Sequence, residues 1–435
     1  MPAPPAQDGL GWDDGGLYVK PIWTREPSLV DIENLCRKEL RIDTGDTCAV
    51  SFHAEGAFNK LYLIETNQGK SLLRVSLPVH PHNKTRGEVT TLRFLRDRTD
   101  VPVPEVIAFD DSSYNLIGFE WILMEMMPGV SVYKRWRTLT MFQKVALVQR
   151  VAELQTQISL KSFSKIGTLK SSDVDQSGKN QQPGELVSRF FFWGQHFDYD
   201  VGRGPFRSSY DYLMSYIEII IKDYMTAIVE AEDEEDKEDA EAALALARRL
   251  ASLLPKIFPS LQCPPERTVI WHDDLSLQNI LVDEQGNITA VVDWECVSAT
   301  PLWVATKAPK FLEGPSREKE PVRQDYADED SEQPSAPDGA EDELDNEGKD
   351  ELYWIHLMEY ETTQLRKFYH ASMCHLRPGW EVQVSESSLK ADFLGAVVRC
   401  GDGFHLRRID QWVDLIEKGE CPRLMDVLEE GLAVL

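Results

Sequence analysis

Three residues in the stretch from Val269 to Glu295 have the types and the spacing that phosphoryl transfer from a nucleotide requires. They are Asp274, Asn279 and Asp293. Transfer to a hydroxyl needs a carboxylate that positions and deprotonates the acceptor, and oxygen ligands for the Mg²⁺ that clamps the phosphates. We interpret Asp274 as this base, and Asn279 and Asp293 as the metal ligands. The alternative is a polar loop without chemistry, because short motifs also arise by chance.

The surrounding pattern predicts the elements that position these three side chains. Val269–Ile270 is apolar like the end of a buried strand, and His272–Asn279 is polar and loop-like. A second apolar run follows, and Glu284–Asn287 separates it from a third run at Ile288–Val292. This order predicts loop, strand, hairpin turn, strand and loop. The three residues are therefore expected at one end of a small hairpin.

The wording of this stretch resembles a known family. It reads His-x-Asp-Leu-x-x-x-Asn-Ile-Leu-Val-Asp from His272, and Val-Val-Asp-Trp-Glu from Val291. It is similar to the aminoglycoside phosphotransferase and choline kinase-like enzymes, most of all to fungal-type members. The resemblance implies an α+β, two-lobed protein-kinase-like fold, with a small antiparallel-sheet N-lobe and a larger, mainly helical C-lobe. It also implies ATP and Mg²⁺ as cofactors. His272, in the catalytic loop, is expected to brace that loop more than to react.

Two departures from protein kinases favour a small-molecule acceptor. Asp273 stands where those enzymes carry Arg, so an activation-loop phosphate read by Arg is not expected. Asp-Trp-Glu replaces Asp-Phe-Gly at Asp293, and no Ala-Pro-Glu follows it. The sequence does not select among amine-bearing alcohols, amino acid alcohols and sugars. A mildly acidic pocket would favour an amine-bearing alcohol.

The region before Gly129 predicts a small sheet with helices, in an order that resembles the nucleotide-covering lobe of kinases. The predicted helices are Ser28–Leu40, with Ser28 as N-cap, and Thr85–Arg96. The predicted strands are Cys48–Ala54, Phe58–Thr66, Ser71–Leu77, Pro104–Phe109 and Phe119–Met124.

Five residues of this lobe are candidates for nucleotide binding. Gly56 lies in a turn that could cover the phosphates with backbone N–H groups, or could be an ordinary hairpin tip. Arg74 stands where kinases carry the phosphate-holding Lys, and Glu88 fits the helix residue that pairs with it. Their alternatives are an outward-facing strand Arg and a solvated helix Glu. Glu125 and Met126 match the hinge that bonds adenine, although the neighbouring Met run could equally fill the core.

The region after Gly129 is expected to be mainly helical. Leu139–Leu160 carries Phe142, Val145, Val151, Leu154 and Ile158 at helical spacing, which predicts a buried stripe. Ser208–Glu230 and Ala240–Leu254 predict two further helices, and the segments containing Trp354–Leu365, Phe393–Arg399 and Arg408–Leu415 predict three more. The aromatic segment Phe190–Phe197 either packs in the core or forms a wall of the acceptor pocket.

Charge and composition bound the remaining possibilities. The chain has 435 residues and a formal net charge of −27. Glu230–Glu241 holds nine acids and one Lys, and Asp325–Glu351 holds thirteen acids and one Lys, so these two runs carry most of the charge. No basic patch stands out, which argues against nucleic acid as a partner. The first run is expected to be a solvated face or linker, and the second to lie in a disordered segment.

We expect no membrane association, because no apolar run reaches about 18 residues. The patterns above also predict how the chain is divided. The parts are 1–44, a loose tail to Tyr18 and a short helix; 45–128, the N-lobe; 129–314, the C-lobe with the catalytic loop; 315–350, an acidic disordered linker; and 351–435, a helical part of the C-lobe. Seven scattered Cys without paired spacing indicate reduced thiols and a cytoplasmic location.

One rival hypothesis comes from a different class of protein. A pseudo-kinase that binds nucleotide or a partner without catalysis is compatible with the single Gly of the phosphate turn and with Arg74. Against it, all three chemical residues are present. A protein kinase is the third possibility, disfavoured by Asp273 and by the absent substrate-loop motif. Oligomeric state is not determined by the sequence.

Overall fold

The computed structural model describes residues 7–16, 18–171, 180–259, 265–328 and 348–429. Its strands are β1 Leu10–Asp13, β2 Lys20–Trp23, β3 Cys48–Glu55, β4 Asn59–Thr66, β5 Gly69–Ser76, β6 Val106–Asp110, β7 Glu120–Glu125, β8 Val130–Ser131, β9 Ser162–Phe163, β10 Leu169–Ser171, β11 Gln181–Pro183, β12 Thr268–Trp271, β13 Ile280–Val282, β14 Ile288–Val291 and β15 Ser298–Pro301. Its helices are α1 Leu29–Glu39, α2 Asn83–Arg98, α3 Val132–Arg135, α4 Met141–Ser159, α5 Arg189–Phe192, α6 Ser209–Glu230, α7 Glu234–Ile257, α8 Glu351–Leu376, α9 Trp380–Arg399, α10 Gly403–Glu417 and α11 Leu424–Glu429.

The N-lobe is a five-stranded antiparallel sheet in the order β3-β4-β5-β7-β6. Helix α2 packs on it through Val89, which shares a small apolar cluster with Ile122 and Met124 of β7. Helix α1 begins as predicted, because the hydroxyl of Ser28 accepts a hydrogen bond from the Asp31 backbone N–H (3.3 Å). The strands and helices predicted for this lobe are confirmed.

The hairpin that carries the candidate catalytic residues is also confirmed. Strands β13 and β14 pair antiparallel, and the carboxylate of Asp283 accepts the backbone N–H groups of Gln285 (2.9 Å) and Asn287 (2.8 Å) in the turn. Gly286 has a φ of +85° there, a conformation that glycine adopts without strain. Strand β8 pairs with β13, so the chain leaving the N-lobe joins the same small sheet.

The C-lobe is mainly helical. Helix α4 packs against α8 in one apolar core, and α6, α7, α9 and α10 contribute to a second. The α+β, two-lobed architecture predicted from the sequence is confirmed. Within the described residues, no helix combines the length and the apolar character needed to cross a bilayer.

The predicted buried stripe of α4 is wrong at one position. Phe142 is 83% exposed, whereas Val151, Leu154 and Ile158 are buried. The buried face begins instead at Lys144, whose ammonium donates to both carboxylate oxygens of Glu361 at 2.7 Å. A charged side chain takes the inward position of the first turn because a carboxylate on α8 meets it.

The predicted tail differs from its expectation where it is described, whereas the acidic run after Glu230 is a solvated face, one of the two roles expected for it. Leu10–Asp13 of the predicted tail pairs with β2. In the acidic run after Glu230, most residues form the exposed first turns of α7, and acidic side chains favour a helix N-terminus. Residues 329–347 of the predicted linker lie outside the described residues. The preceding part runs along α8, where Arg317 Nε donates to Glu359 at 2.9 Å. The domain boundaries themselves stay predictions.

Candidate active site

The loop between β12 and β13 is closed by its own hydrogen bonds. The backbone N–H of Ser276 donates to the carbonyl of Asp274 (2.8 Å), and that of Asn279 donates to the carbonyl of Ser276 (3.2 Å). The side-chain N–H of Asn279 donates to the same Asp274 carbonyl (2.8 Å). Each donor stiffens the turn, so Asp274 and Asn279 are held on one short, well-ordered segment.

Asp293 follows directly after β14 and faces this loop. The backbone N–H of Val292 donates to the carbonyl of Asn279 (2.9 Å), which sets the two predicted metal ligands side by side. Asp293 has a φ of +63°, in the left-handed region that few residues other than Gly, Asn and Asp adopt. Backbone strain of this kind collects at functional sites, where the surrounding structure holds the residue in place.

Arg74 connects the two lobes at this point. Its guanidinium donates through Nη1 to Glu88 on α2, and through Nη2 to Asp293 at 2.6 Å. Arg74 and Glu88 are buried, and the Asp293 carboxylate is a quarter exposed. The pairing expected between Arg74 and Glu88 is present. A planar guanidinium can hold two carboxylates at once, which a lysine ammonium does with less defined geometry.

A second buried cation lies beside the first. The ammonium of Lys84 lies 2.9 Å from Glu295 Oε2 and donates to Asn59 Oδ1 at 2.7 Å. Asn59 in turn donates to Glu295 at 2.7 Å and accepts from the hydroxyl of Ser76 at 2.8 Å. Lys84, Glu295, Asn59 and Ser76 therefore each have at least one partner, and hydrogen bonds of this kind stabilise a buried polar network.

The charges of this network shift the pKa values of its members. Burial is the largest single influence on Lys84 and would lower its pKa, but Glu295, Cys296 and Glu88 together outweigh burial and raise that pKa. Burial alone would raise the pKa of Glu295, but Lys84 and Arg74 outweigh it and hold that pKa well below its ordinary value. Glu295 is thus an anion that two buried cations hold in place.

His272 is positioned as a support for the loop. It is buried, its Nε2 lies 3.1 Å from the Val292 carbonyl, and its ring packs edge-on to Trp294 with centroids 4.7 Å apart. These contacts tie the loop to the residues that flank Asp293. This position agrees with the role expected of His272, which is to brace the catalytic loop.

A cavity of about 140 Å³ opens beside Asp274. Two cations that sequence reasoning missed point into it. Lys310 Nζ donates to Asp274 Oδ1 at 2.6 Å, and Arg189 Nη2 lies 3.9 Å from Asp274 Oδ2. Lys310 reaches this place because the backbone N–H of Phe311 donates to the Leu275 carbonyl (3.2 Å). The pairing joins residues far apart in sequence, and no local pattern signals it.

The aromatic segment before this cavity is largely core. Phe191 and Phe192 are fully buried, and Phe192 packs edge-on to Phe58 with centroids 5.3 Å apart. The cavity wall comes instead from Ser188 and Arg189, at the start of α5. These two rings therefore pack in the core, which is one of the two roles expected for the segment.

Of the remaining nucleotide-binding candidates, Gly56 and Glu125 already use their backbone N–H groups in hydrogen bonds within the N-lobe. The N–H of Gly56 donates to the Asn59 carbonyl (2.9 Å), which closes the β3–β4 turn as an ordinary hairpin does. The N–H of Glu125 donates to the Glu105 carbonyl (2.9 Å), so this donor is already used within the N-lobe. Met126 follows β7 directly, at the start of the connection to the C-lobe.

The sequence model of the phosphotransferase enzyme family (APH) matches residues 49–304, more than half of the chain. The chain belongs to the phosphotransferase enzyme family. The matched segment contains all the predicted site residues, from Gly56 to Asp293, together with Lys84 and Arg189. Lys310 lies beyond it.

The relatives of this chain among curated proteins include fungal proteins. A subtelomeric hrmA-associated cluster protein of Aspergillus fumigatus is 29% identical over 307 residues, a match that spans 59% of each chain. The chain therefore spans about three-fifths of the length of that relative. The altered inheritance of mitochondria protein 9 of Candida albicans is 31% identical over 164 residues, which cover 34% of this chain and 26% of the relative. That protein's name calls it mitochondrial, and the cytoplasmic location expected here stays a prediction.

Solved structures of aminoglycoside phosphotransferases resemble this chain at a distance. The crystal structure of APH(4)-Ia has a TM-score of 0.45 at 15% identity and covers 89% of this chain and 99% of its own. The streptomycin–ATP complex of APH(2″)-IIa has a TM-score of 0.43 at 13% identity and covers 94% of this chain and 98% of its own. The assignment to the family rests on the sequence match.

Proposed function

We propose that this protein is an ATP-dependent phosphotransferase that moves the γ-phosphoryl group to a hydroxyl of a small molecule. The observation that carries the proposal is the convergence of Asp274, Asn279 and Asp293 at one end of the β13–β14 hairpin. The same site receives Arg74 from the opposite lobe, at 2.6 Å from Asp293. A base, two oxygen ligands for a metal and a cation for phosphate are the groups that this reaction needs.

The residues at the hairpin fit Mg²⁺. Asp293 uses Oδ1 for Arg74, which leaves Oδ2 as a carboxylate ligand. The side-chain N–H of Asn279 donates to the Asp274 carbonyl. The side-chain oxygen of Asn279 is therefore the atom that can bind a cation. Both are hard oxygen donors of the kind Mg²⁺ prefers, and Mg²⁺ takes its other ligands from water and substrate phosphates.

Each residue then has a defined task. When bound, Mg·ATP supplies the phosphoryl group, and the metal offsets the charge that develops on the phosphate oxygens. Arg74 holds Asp293 in place and presents a charged donor to the phosphates. Asp274 accepts a hydrogen bond from the acceptor hydroxyl and takes its proton on a carboxylate oxygen. His272 and Glu295 act through their neighbours, by holding the loop and the segment after Asp293.

A non-catalytic nucleotide-binding protein is the second candidate, and one observation favours it. Lys310 Nζ donates to Asp274 Oδ1 at 2.6 Å, so this oxygen is already engaged and is not free to accept a hydrogen bond from an acceptor hydroxyl. A scaffold would bind Mg·ATP without transferring phosphate, whereas an enzyme requires Lys310 to release Asp274 when substrates bind. The two candidates differ in turnover and not in nucleotide binding.

Transfer of label separates the two. The full chain is incubated with γ-labelled ATP, Mg²⁺ and a protein-free extract of fungal small molecules, beside Asp274→Asn and the exposed control Asp97→Asn. We expect label on small molecules, a loss of about 10²–10⁴-fold in Asp274→Asn and no change in Asp97→Asn. Nucleotide binding by all three proteins without any transfer would instead establish the scaffold. Equal transfer by Asp274→Asn would remove Asp274 as the base.

A further inference from the structure

The two oxygens of Asp274 each face a cation. Lys310 Nζ lies 2.6 Å from Oδ1, and Arg189 Nη2 lies 3.9 Å from Oδ2. The two side chains come from different parts of the fold, Arg189 from the start of α5 and Lys310 from the short 3₁₀ helix Lys310–Leu312. Both line the cavity beside the catalytic loop. A hydroxyl bound to either oxygen of Asp274 therefore lies within a few ångströms of positive charge.

Two of the other carboxylates around the cavity have buried cations of their own. Asp293 accepts a hydrogen bond from Arg74, which also holds Glu88, and Glu295 is paired with Lys84. Asp273 also lines the cavity, and it is exposed. An ammonium next to the reacting hydroxyl would have to displace Lys310 from Asp274 and would meet Arg189 as a like charge.

We propose that the acceptor carries an anionic group, a carboxylate or a phosphate, close to the hydroxyl that receives the phosphoryl group, and that Arg189 and Lys310 bind this group. The inference rests on the proposed function, because it takes Asp274 as the residue that holds the acceptor hydroxyl. It reverses the amine-bearing acceptor expected from overall charge. Arg189 offers a planar fork that fits two oxygens, and Lys310 offers a mobile ammonium.

The proposal also gives Lys310 a reason to leave Asp274. In the free protein the ammonium of Lys310 is held by the carboxylate of Asp274. An incoming anionic group offers Lys310 a second partner, and its transfer to that group frees Asp274 to receive the hydroxyl proton. An acceptor without an anion leaves Lys310 on the base and is a poor substrate. The charge of the acceptor would thus control the state of the base.

Binding measurements test this without knowledge of the natural acceptor. D-glycerate, sn-glycerol 3-phosphate, glycerol and ethanolamine are each titrated into the full chain in Mg·ADP at constant ionic strength, and heats are measured. We expect the two anionic alcohols to bind more tightly than the other two, and the tighter of them identifies carboxylate or phosphate. Arg189→Gln and Lys310→Gln should each weaken anion binding about tenfold, as expected for a lost charge-assisted hydrogen bond.

Two further variants sharpen the result. Asp274→Asn removes the charge that holds both cations, so it should bind the anionic alcohols more tightly than the wild-type protein does. Lys319→Gln, which removes an exposed lysine elsewhere, should change nothing. Tightest binding of ethanolamine, no preference among the four compounds, or equal effects of Arg189→Gln and Lys310→Gln on all four would overturn the proposal. Loss of Mg·ADP binding itself would instead contradict the proposed function, so the two failures are distinguishable.

Discussion

The ammonium of Lys84 and the carboxylate of Glu295 form a buried ion pair of 2.9 Å that joins α2 to the chain two residues after Asp293. The same helix carries Glu88, which pairs with Arg74, and Arg74 pairs in turn with Asp293 at 2.6 Å. Two adjacent ion pairs thus connect the N-lobe to the segment that positions the predicted metal ligand. We infer that this double connection fixes Asp293 in its left-handed conformation, because neither end of the segment can rotate without breaking a buried pair.

Replacement of Lys84 by Met should destabilise the protein strongly. It leaves the Glu295 carboxylate buried beside one fewer cation, and breaking a buried pair in this way costs about 3–5 kcal/mol. The free energy of unfolding in urea is compared with that of Lys38→Met, where the side chain is 80% exposed. The double variant Lys84→Met/Glu295→Leu should recover part of the loss. If Lys84→Met costs no more than Lys38→Met, the pair does not support the fold.

Gly129 should not tolerate a side chain. Its φ is +104°, and a Cβ there would lie 2.5 Å from Thr289 Oγ1 and 2.7 Å from the Val282 carbonyl oxygen. Gly129→Ala should therefore cost on the order of 1–3 kcal/mol and shift the connection between the lobes. Gly45→Ala is the matched control, because a Cβ there meets nothing within 4 Å. Equal urea midpoints for the two variants would show that the connection is looser than these contacts imply.

His196 should make stability depend on pH in a defined direction. Burial alone would lower its pKa, but its bonds to Asp223 and to the Phe190 carbonyl outweigh burial and raise that pKa. A raised pKa in the folded state stabilises the protein fully below the unfolded pKa of about 6.5, and this contribution disappears as pH rises through the folded pKa. The difference in unfolding free energy between wild type and His196→Gln should therefore be larger at about pH 6 than at about pH 9.

The exposed residue His53 provides the control for this pH effect. His53→Gln should give a difference close to zero at both pH values, because its imidazole is solvated in both states. A gap between wild type and His196→Gln that grows with pH would mean that His196 is neutral in the folded protein, and that its bond to Asp223 is not an ion pair.

Local patterns predicted most of the fold. Neighbours in the sequence determine three of these features. They are the N-cap at Ser28, the strands around Arg74 and the turn at Asp283. Lys84 also had a local signal, since it lies four residues before Glu88 and so shares its helix face. The failure at Phe142 has a tertiary cause, because α8 presents Glu361 to Lys144.

Partners from distant segments were beyond such reasoning. Asn59 and Glu295 are separated by 236 positions in the sequence. Lys310 contacts Asp274 although β13, β14 and β15 lie between them in the sequence. Only the folded chain brings these groups together. The sequence motifs thus indicated the residues that meet at the hairpin, and the roles of these residues stay predictions. The two cations beside Asp274, Arg189 and Lys310, could not be predicted from those motifs.

The most direct test of the central claim is thermal unfolding of the pure protein with and without Mg·ATP, beside Asp293→Asn and the control Asp97→Asn. A ligand that binds only the folded state stabilises it by about 2.7 kcal/mol at a hundredfold excess over its dissociation constant. We predict a Mg²⁺-dependent rise in midpoint for the wild-type protein and for Asp97→Asn, and its loss in Asp293→Asn. No rise at millimolar Mg·ATP, or an equal rise in Asp293→Asn, would contradict a nucleotide site at this hairpin.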